Sequence, residues 1–466
     1  MSNSDKPAMG SGNILKFVIV SLFGIFLFLA PIPDGEGAFN IPLGIAIDWM
    51  NENIFGTVVF EESVGGRPYV IHHLIAAIAM TISLLGTILA YTVKPGFIEN
   101  NPRVRELFRS SPVYFVTKII ACVFVWMIFL RVGPAFIISG ATGGEILHLS
   151  AALVTIFIFL IPIMPLVTDF GLMEFIGILI RKAVRALFTL PGRASVDLMA
   201  SWFGSSVASI LITRGQHERG YYTGREAAVI AVNFSFVSLP FTFVVVRTIG
   251  LQAHFFQFLV VVYIVCLLLA VIMPRIWPLR RLADTYLEDV GKQIDEEVPA
   301  NMSTAKWALV SAYRQASKTT VGGIARNAGY NYLNTFMDLI PTVLAWGTLG
   351  VIIVEFTPIF NWIGFPFGLL ASLLQVPEAM NFAHVTVIGF IDMFLPALML
   401  GGAPLQTQFV LGVLSIVQII YLAETGVLII KSRMPLNIGH LAIIFVMRTI
   451  IALPIIVLLT MLFLRG

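Results

Sequence analysis

Charged residues are scarce in this chain. Asp, Glu, Lys and Arg make up only 12% of its 466 residues, whereas roughly a quarter is usual in a soluble globular domain. Apolar residues make up 58%, and the mean hydropathy is +0.91. Because a protein folded in water needs a charged surface, this composition excludes an ordinary soluble enzyme, a disordered protein and a nucleic-acid binder. It is typical of a protein whose helices cross a membrane several times.

Cysteine is also rare, and the overall charge is small. Cys122 and Cys266 both lie inside apolar runs, so we expect small buried side chains rather than a disulfide framework or a metal site. A net charge of +3 gives no reason to expect a nucleic-acid partner. The sequence shows no nucleophile and base at a supporting spacing, so we expect no enzyme, no metal and no cofactor.

Long stretches without charge mark the expected membrane spans, because a helix needs roughly 20 apolar residues to cross the bilayer. The first stretch is kept as an uncleaved helix, since Pro31 and Pro33 stand where a signal peptide needs small residues. Lys118, inside the third stretch, is expected to extend toward the membrane surface. The stretches, about nine in all, are 17–33, 68–93, 112–130, 146–168, 227–246, 248–274, 339–354, 404–423 and 434–464.

The charges of the loops predict the orientation. Residues 94–109 contain four basic residues, whereas residues 34–67 contain six acidic residues and only Arg67 as a basic one. Cytoplasmic loops carry the excess of Lys and Arg. We therefore expect a bacterial cytoplasmic (inner) membrane protein with its N-terminus in the cytoplasm and its C-terminus outside.

Two apolar segments do not fit as crossings. If Leu198–Thr213 crossed the membrane, the basic loops that begin at Arg214 and Arg275 would both lie outside. A hairpin that enters from the cytoplasm and turns near 204–206 avoids this. Residues 377–404, which contain Asp392 as the one acidic residue between 379 and 404, are expected to form a second hairpin from the outside. Irregular backbone at membrane depth is tolerated where it lines a protein cavity.

The two halves of the chain repeat this arrangement. Residues 202–213 align with 389–400, and 234–240 with 419–425, so each hairpin is followed by a helix that polar residues or Pro interrupt. Opposite orientation of such units is typical of inverted-repeat transporters. The predicted fold is an all-α polytopic membrane protein with about nine transmembrane helices and two re-entrant hairpins in an inverted repeat.

The same pattern divides the chain into four regions. The connector is expected to be solvated and to contain two amphipathic cytoplasmic helices joined near Pro299. The regions are N-terminal scaffold helices at 1–145, a first repeat at 146–274 with its hairpin tip near 204–206, the connector at 275–333, and a second repeat at 334–466 with its tip near 392.

Three motifs carry a family resemblance: PGRASVDLMASWFGSS, GYYTGREAAVIA and REAAVIAVNFSFVSLP. They resemble the Gate domain of the bacterial YjiH family, which is related to concentrative nucleoside transporters, to the membrane domain of the ferrous iron transporter FeoB and to spore maturation proteins. The resemblance covers most of the chain. It implies a transporter fold with two inverted repeats of hairpin and broken helix, and an oligomer.

The resemblance does not extend to iron transport. The iron transporter carries a cysteine at the hairpin tip and another at the second polar break. Here Ser205 and Ser206 match the first position, and Ser235 and Ser238 lie near the second. Without a soft ligand for ferrous iron and without a phosphate-binding G-x-x-x-x-G-K-[ST] motif, we expect neither iron transport nor a GTPase domain.

The charges at mid-depth are the strongest functional candidates. A carboxylate at the bilayer centre costs roughly 2.5 to 3.5 kcal/mol, so Asp392 and Glu424 are expected to bind solute or ion. Structural pairing, for instance with Arg448, is the alternative. Hydroxyl groups equally suit contacts between helices, and Tyr421 is the candidate most easily explained by packing. The predicted substrate- or ion-binding residues are Ser205, Ser206, Asn233, Ser235, Ser238, Asp392, Gln418, Tyr421, Glu424 and Thr425.

Three histidine motifs have simpler interpretations. His72 and His73 point about 100° apart on a helix, so a pair of metal ligands is not expected. Glu145 and His148 have the i, i+3 spacing of a di-iron helix, but the motif occurs once, so we expect a cap or a hydrogen bond. His384, on the first arm of the second hairpin, is close enough in sequence to reach the site.

These features predict a secondary-active transporter for a small polar solute, such as a nucleoside, an amino acid or a short peptide. Coupling to Na⁺ or H⁺ and alternating access between the two sides would follow from the interrupted helices. The alternative is a non-transporting membrane component that assembles with a second Gate-domain protein. Besides solute and lipid, the expected partners are therefore a second copy or that second protein.

Overall fold

The structure is a computed structural model that describes residues 11–30, 32–33, 39–60, 69–109, 112–192, 194–195, 198–199, 206–287, 302–430 and 432–464. Over these ranges the protein is mainly helical and apolar, which confirms the prediction of an all-α membrane protein. Two short antiparallel strand pairs occur outside the helices, Ile32–Pro33 with Phe39–Asn40 and Val58–Phe60 with Tyr69–Val70.

The helices are numbered in chain order. In the first part they are α1 (Ser11–Leu29), α2 (Pro42–Met50), α3 (Ile71–Thr92), α4 (Gly96–Glu99), α5 (Pro102–Phe108), α6 (Pro112–Leu130), α7 (Ala135–Ile138), α8 (Glu145–Thr168), α9 (Leu172–Phe188), α10 (Ser206–Glu218), α11 (Gly224–Asn233), α12 (Leu239–Thr248) and α13 (Phe255–Ile272). In the second part they are α14 (Thr304–Lys318), α15 (Val321–Phe356), α16 (Ile359–Leu373), α17 (Val385–Ile388), α18 (Leu395–Leu398), α19 (Leu405–Val417), α20 (Val427–Ile430) and α21 (Ile438–Phe463).

Among the described residues, four helices are long and apolar enough to cross a membrane, and two bent helix pairs raise the number to six if each pair is one span. The expected spans at 227–246 and 404–423 are each divided into shorter helices by a break. The number of crossings therefore stays a prediction. The four helices are Ile71–Thr92, Ile146–Thr168, Gln252–Arg275 and Ile438–Phe463, and the pairs are Tyr114–Leu130 with Ala135–Gly144 and Ile340–Phe356 with Ile359–Leu373.

Helices α3, α6, α8 and α15 pack together as a scaffold. Ser83 Oγ donates to the Met337 carbonyl at 3.1 Å, which joins α3 to α15. The expectation for Lys118 is wrong, because its side chain is only 1% exposed. Instead of reaching the membrane surface, Lys118 Nζ donates to Thr87 Oγ1 at 3.3 Å and to the Leu107 carbonyl at 3.4 Å.

The described part of the connector contains helix α14 and the first turns of α15. Helix α14 packs against α9, and Thr319 Oγ1 donates to the Asp169 carbonyl at 2.8 Å. Residues 321–333, however, form the first turns of the 36-residue helix α15, so the boundary predicted after residue 333 falls inside a helix. Pro299, the expected junction, lies outside the described residues.

Two glycines let α16 approach the second hairpin. A Cβ on Gly364 would lie 2.2 Å from the Ala383 carbonyl oxygen, and a Cβ on Gly368 would lie 2.6 Å from the Ala383 Cβ. Both distances are shorter than van der Waals contact. The Gly364-x-x-x-Gly368 spacing therefore serves close packing within the chain.

We expect Gly364→Ala to destabilise the protein by about 1–3 kcal/mol, because the new methyl group meets backbone that must move. The measurement is the thermal midpoint of the detergent-solubilised protein. Gly329→Ala is the matched control, since Gly329 also lies in a helix and its Cβ would meet nothing within 4 Å. Equal midpoints for the two variants would contradict this account of the packing.

Candidate functional site

The first interrupted helix consists of α11 and α12, with a break at residues 234–238. Thr223 and Glu226 form a capping box at the start of α11. At the break, Ser238 Oγ accepts a hydrogen bond from the Phe241 N–H at 3.4 Å, and Pro240 occupies the first turn of α12. Because Pro cannot continue a helix, the chain stops and restarts here. Ser238, a predicted site residue, caps the new helix.

The second interrupted helix consists of α19 and α20, with non-helical residues at 419–421 and a π-helical turn, Leu422–Gly426. Ile419 has a φ of 64°, which is unusual for a β-branched residue and marks local backbone strain. Tyr421 Oη donates to the carbonyls of Ser415 at 3.0 Å and Ile416 at 2.9 Å. Thr425 Oγ1 accepts from the Tyr421 N–H at 3.1 Å. Tyr421 and Thr425, both predicted site residues, therefore hold the break in shape.

Arg448, on α21, joins the two breaks. Its guanidinium donates from Nε and Nη2 to the Val417 carbonyl, at 3.1 and 2.6 Å, where α19 ends. Nη1 donates to the Val232 carbonyl at 3.2 Å and to Asn233 Oδ1 at 2.8 Å, where α11 ends. Arg448 is fully buried. One side chain thus binds the carboxyl ends of the first half of each interrupted helix.

The second hairpin places Asp392 beside this junction. Its Oδ1 accepts from the Phe394 N–H at 2.8 Å. Asp392 is 7% exposed. It shares no hydrogen bond or ion pair with Arg448, so Asp392 does not form the pairing weighed as the structural alternative. The same alternative for Glu424 stays a prediction.

Both interrupted helices contact the tip of the second hairpin. The Leu422 N–H, at the start of the π turn, donates to the Phe390 carbonyl at 2.7 Å. The ring of Phe241, in α12, lies 5.8 Å from the ring of Phe394. The second arm of the first hairpin, α10, packs against the same π turn and against α20. The described parts of both hairpins and both breaks therefore meet in one region.

Among the described residues at the two breaks, two buried polar atoms have no hydrogen-bond partner. Gln418, fully buried, donates from Nε2 to the Thr386 carbonyl at 2.7 Å and to Thr449 Oγ1 at 2.8 Å. Its Oε1 accepts no hydrogen bond. The buried Ser235 Oγ has no hydrogen-bond partner either. A buried polar atom left unpaired costs about 1–3 kcal/mol. One such atom lies at each break, so each break has a buried polar atom whose hydrogen-bonding capacity is not used within the described residues.

Gly389 makes room for the amide of Gln418. A Cβ at position 389 would lie 2.7 Å from Gln418 Oε1. The second hairpin therefore approaches the break with bare backbone, and the unpaired oxygen stays within reach of the hairpin tip.

The structure describes the remaining predicted site residues unevenly. Asn233 holds Arg448 and donates from Nδ2 to the Val229 carbonyl at 3.1 Å. Ser206 is 5% exposed at the start of α10. Ser205 and the side chain of Glu424 lie outside the described residues, so their assignment stays a prediction.

His73 and His148 form a contact with each other that the sequence did not predict. His73 Nε2 lies 2.6 Å from His148 Nδ1, a hydrogen bond that joins α3 to α8. The hydrogen bond expected for His148 is therefore present, with a histidine as its partner. Among the described residues, no group of three or more His, Cys, Asp or Glu side chains has metal-binding geometry.

The sequence shows Arg448 as an unusual charge but does not show which groups it binds. It is the only charge between residues 434 and 464, and a charge in such a stretch is a functional signal by itself. Its partners at 232, 233 and 417 could not be read from spacing, because they come from helices distant in sequence.

We expect Asp392→Ala to destabilise the protein by about 1–3 kcal/mol, because the buried Phe394 N–H loses its acceptor. Asp392→Asn keeps one oxygen acceptor and should lie between the wild type and the alanine variant. The thermal midpoints of the three proteins test this order. An alanine variant as stable as the wild type would show that the carboxylate does not hold the hairpin.

The chain is similar to known proteins over two different lengths. The family model described as Gate, nucleoside recognition, matches residues 151–252, which contain the first interrupted helix. A protein of Alkalihalophilus pseudofirmus that carries the description "uncharacterized" is 42% identical over 457 residues, which is 97% of this chain and 95% of that protein. No solved structure matches the chain. The predicted motifs lie inside the matched region, so the chain contains a Gate domain at residues 151–252, and over nearly its whole length it belongs to the same family as the Alkalihalophilus pseudofirmus protein.

Proposed function

We propose that the protein is a secondary-active transporter for a small polar solute, with its site between the two breaks and the hairpin tips. The observation that carries this proposal is the pair of buried, unpaired polar atoms, Ser235 Oγ and Gln418 Oε1, one at each break. A solute that bonds to both would join the two halves of the site.

The order of the helices supports an inverted-repeat transporter. In each half a long helix (α8 or α15) is followed by an apolar or amphipathic helix (α9 or α16), a hairpin segment, an interrupted helix and a closing helix (α13 or α21). Interrupted helices that meet near mid-membrane are the usual site of solute binding in such transporters. Alternating access would expose this site to each side in turn.

Contacts between distant segments support the topology proposed from the loop charges. Arg247 forms an ion pair with Asp48, and both residues are proposed to lie outside. Thr223 Oγ1 donates to Asp284 at 2.6 Å, and Arg275 Nη2 donates to the Leu187 carbonyl at 2.9 Å. These four residues are proposed to face the cytoplasm, with residues 198–213 as a hairpin and not a crossing.

The chemistry of the unpaired atoms defines the solute class. Gln418 Oε1 requires a donor, and the Ser235 hydroxyl can donate or accept. Nucleosides, amino acids and short peptides carry such groups, and the nucleoside-recognition description of the family adds weight to nucleosides. Because one fold serves many functions, the solute is identified by measurement.

The first test is a thermal-shift screen of purified protein against nucleosides, amino acids and dipeptides. A ligand at 100 times its Kd stabilises the folded state by about 2.7 kcal/mol. We expect Ser235→Ala to reduce the solute-dependent shift while the solute-free midpoint stays equal or rises, because the removed hydroxyl had no partner. Ser415→Ala is the control, since Ser415 Oγ donates to the Gly412 carbonyl at 2.7 Å; it should lower the midpoint and leave the solute shift intact.

The second test is uptake of the identified solute into proteoliposomes under a sodium or proton gradient. Asp392→Asn and Glu424→Gln should slow uptake, because a carboxylate at mid-depth is proposed to carry the coupling ion or proton. Unchanged uptake in both variants would remove these residues from the mechanism. Failure of every solute, together with co-purification of a second membrane protein, would favour the alternative of a non-transporting component.

A further inference from the structure

Arg448 carries a full positive charge into the centre of the protein, and no acidic side chain among the described residues pairs with it. It is 0% exposed. Its four hydrogen bonds end on the carbonyls of Val232 and Val417 and on Asn233 Oδ1. The charge is therefore balanced by oxygens of the two interrupted helices.

The position of these oxygens explains how they balance a cation. Val232 and Asn233 lie at the carboxyl end of α11, and Val417 at the carboxyl end of α19. The carboxyl end of a helix carries about half a negative charge. Two such ends directed at one guanidinium together match its one positive charge.

The same kind of site binds mobile cations in other membrane proteins. Carbonyls freed by a helix break, together with the carboxyl ends of half-helices, coordinate sodium ions in transporters built from broken helices. Here the guanidinium already takes the equivalent carbonyls of both breaks. We propose that Arg448 is a tethered cation that fills the cation site between the interrupted helices, so that this site binds no sodium and the two breaks are held together.

A guanidinium is chemically suited to this position. It stays charged when buried, it is more weakly hydrated than an ammonium group, and its planar fork of donors reaches several acceptors at once. A lysine would offer a single point charge. The consequence for coupling, that transport does not need sodium at this junction, rests on the proposed transport function, whereas the cation site itself does not.

The test uses the thermal stability of the full-length protein in detergent, which requires no solute. The wild type is melted in NaCl, KCl and choline chloride at equal ionic strength, and we expect the same midpoint in all three. Arg448→Ala should lower the midpoint strongly, because the carbonyls and Asn233 lose their cation. Guanidinium chloride at low millimolar concentration should then restore most of the loss in a saturable manner.

Leu453→Ala is the matched control. Leu453 lies on the same helix, is fully buried and is apolar, so its removal leaves a cavity with no charge to replace. It should lose stability and gain nothing from guanidinium. If Arg448→Ala yields no folded protein, Asn233→Ala takes its place in the test. This variant removes one acceptor of Arg448 Nη1, so we expect a lower midpoint that is the same with and without sodium.

Three results would overturn the proposal. One is a sodium-specific rise in the wild-type midpoint that Asn233→Ala abolishes, which would place a sodium ion at the junction. Another is equal recovery of Arg448→Ala and Leu453→Ala by guanidinium, and the third is an Arg448→Ala variant as stable as the wild type. None of these readouts involves transport, so they stand or fall separately from the proposed function.

Discussion

The structure depends on how the backbone groups at two helix breaks are satisfied. In a membrane, a carbonyl that loses its partner in the helix has no water to bond with, and each such group costs several kcal/mol. Arg448 meets this need at both breaks, through Val417 on one side and Val232 and Asn233 on the other. Its helix, α21, packs against α19 and α13, and the closing helix is thereby fixed to the interrupted ones.

Most of the polar residues near the breaks have structural partners. Ser238 caps α12, Tyr421 and Thr425 bind carbonyl and amide groups of the second break, and Asp392 binds the Phe394 amide of the hairpin. Ser235 Oγ and Gln418 Oε1 remain without partners. The distinction between paired and unpaired atoms matters for binding. A polar residue at mid-depth needs hydrogen-bond partners, and only the atoms that the protein leaves unpaired are available to a solute.

The sequence predicts the elements better than it predicts their connections. Pro240 and the polar residues near 235 and 418 indicate the breaks, because they act on the local backbone. The partners of Arg448 and Lys118 are tertiary, since they depend on which helices lie side by side. A lone Asp392 in an apolar run is visible in the sequence, but the turn that brings the Phe394 N–H back to its carboxylate is not. Local sequence features therefore indicate the breaks and the candidate polar residues, whereas the tertiary fold determines which of their polar atoms are paired.

The three-way contact of Arg448 limits how the site can open. Because one planar group binds α11 and α19 from α21, these helices cannot separate without leaving a buried charge unpaired, which is strongly destabilising. The second hairpin is held differently: Gly364 and Gly368 allow close packing on α16, and the Leu422 N–H reaches Phe390. These contacts are neutral and can be exchanged at lower cost than the charge. Movement of the hairpins around a fixed pair of breaks is therefore the conformational change that the electrostatics favour.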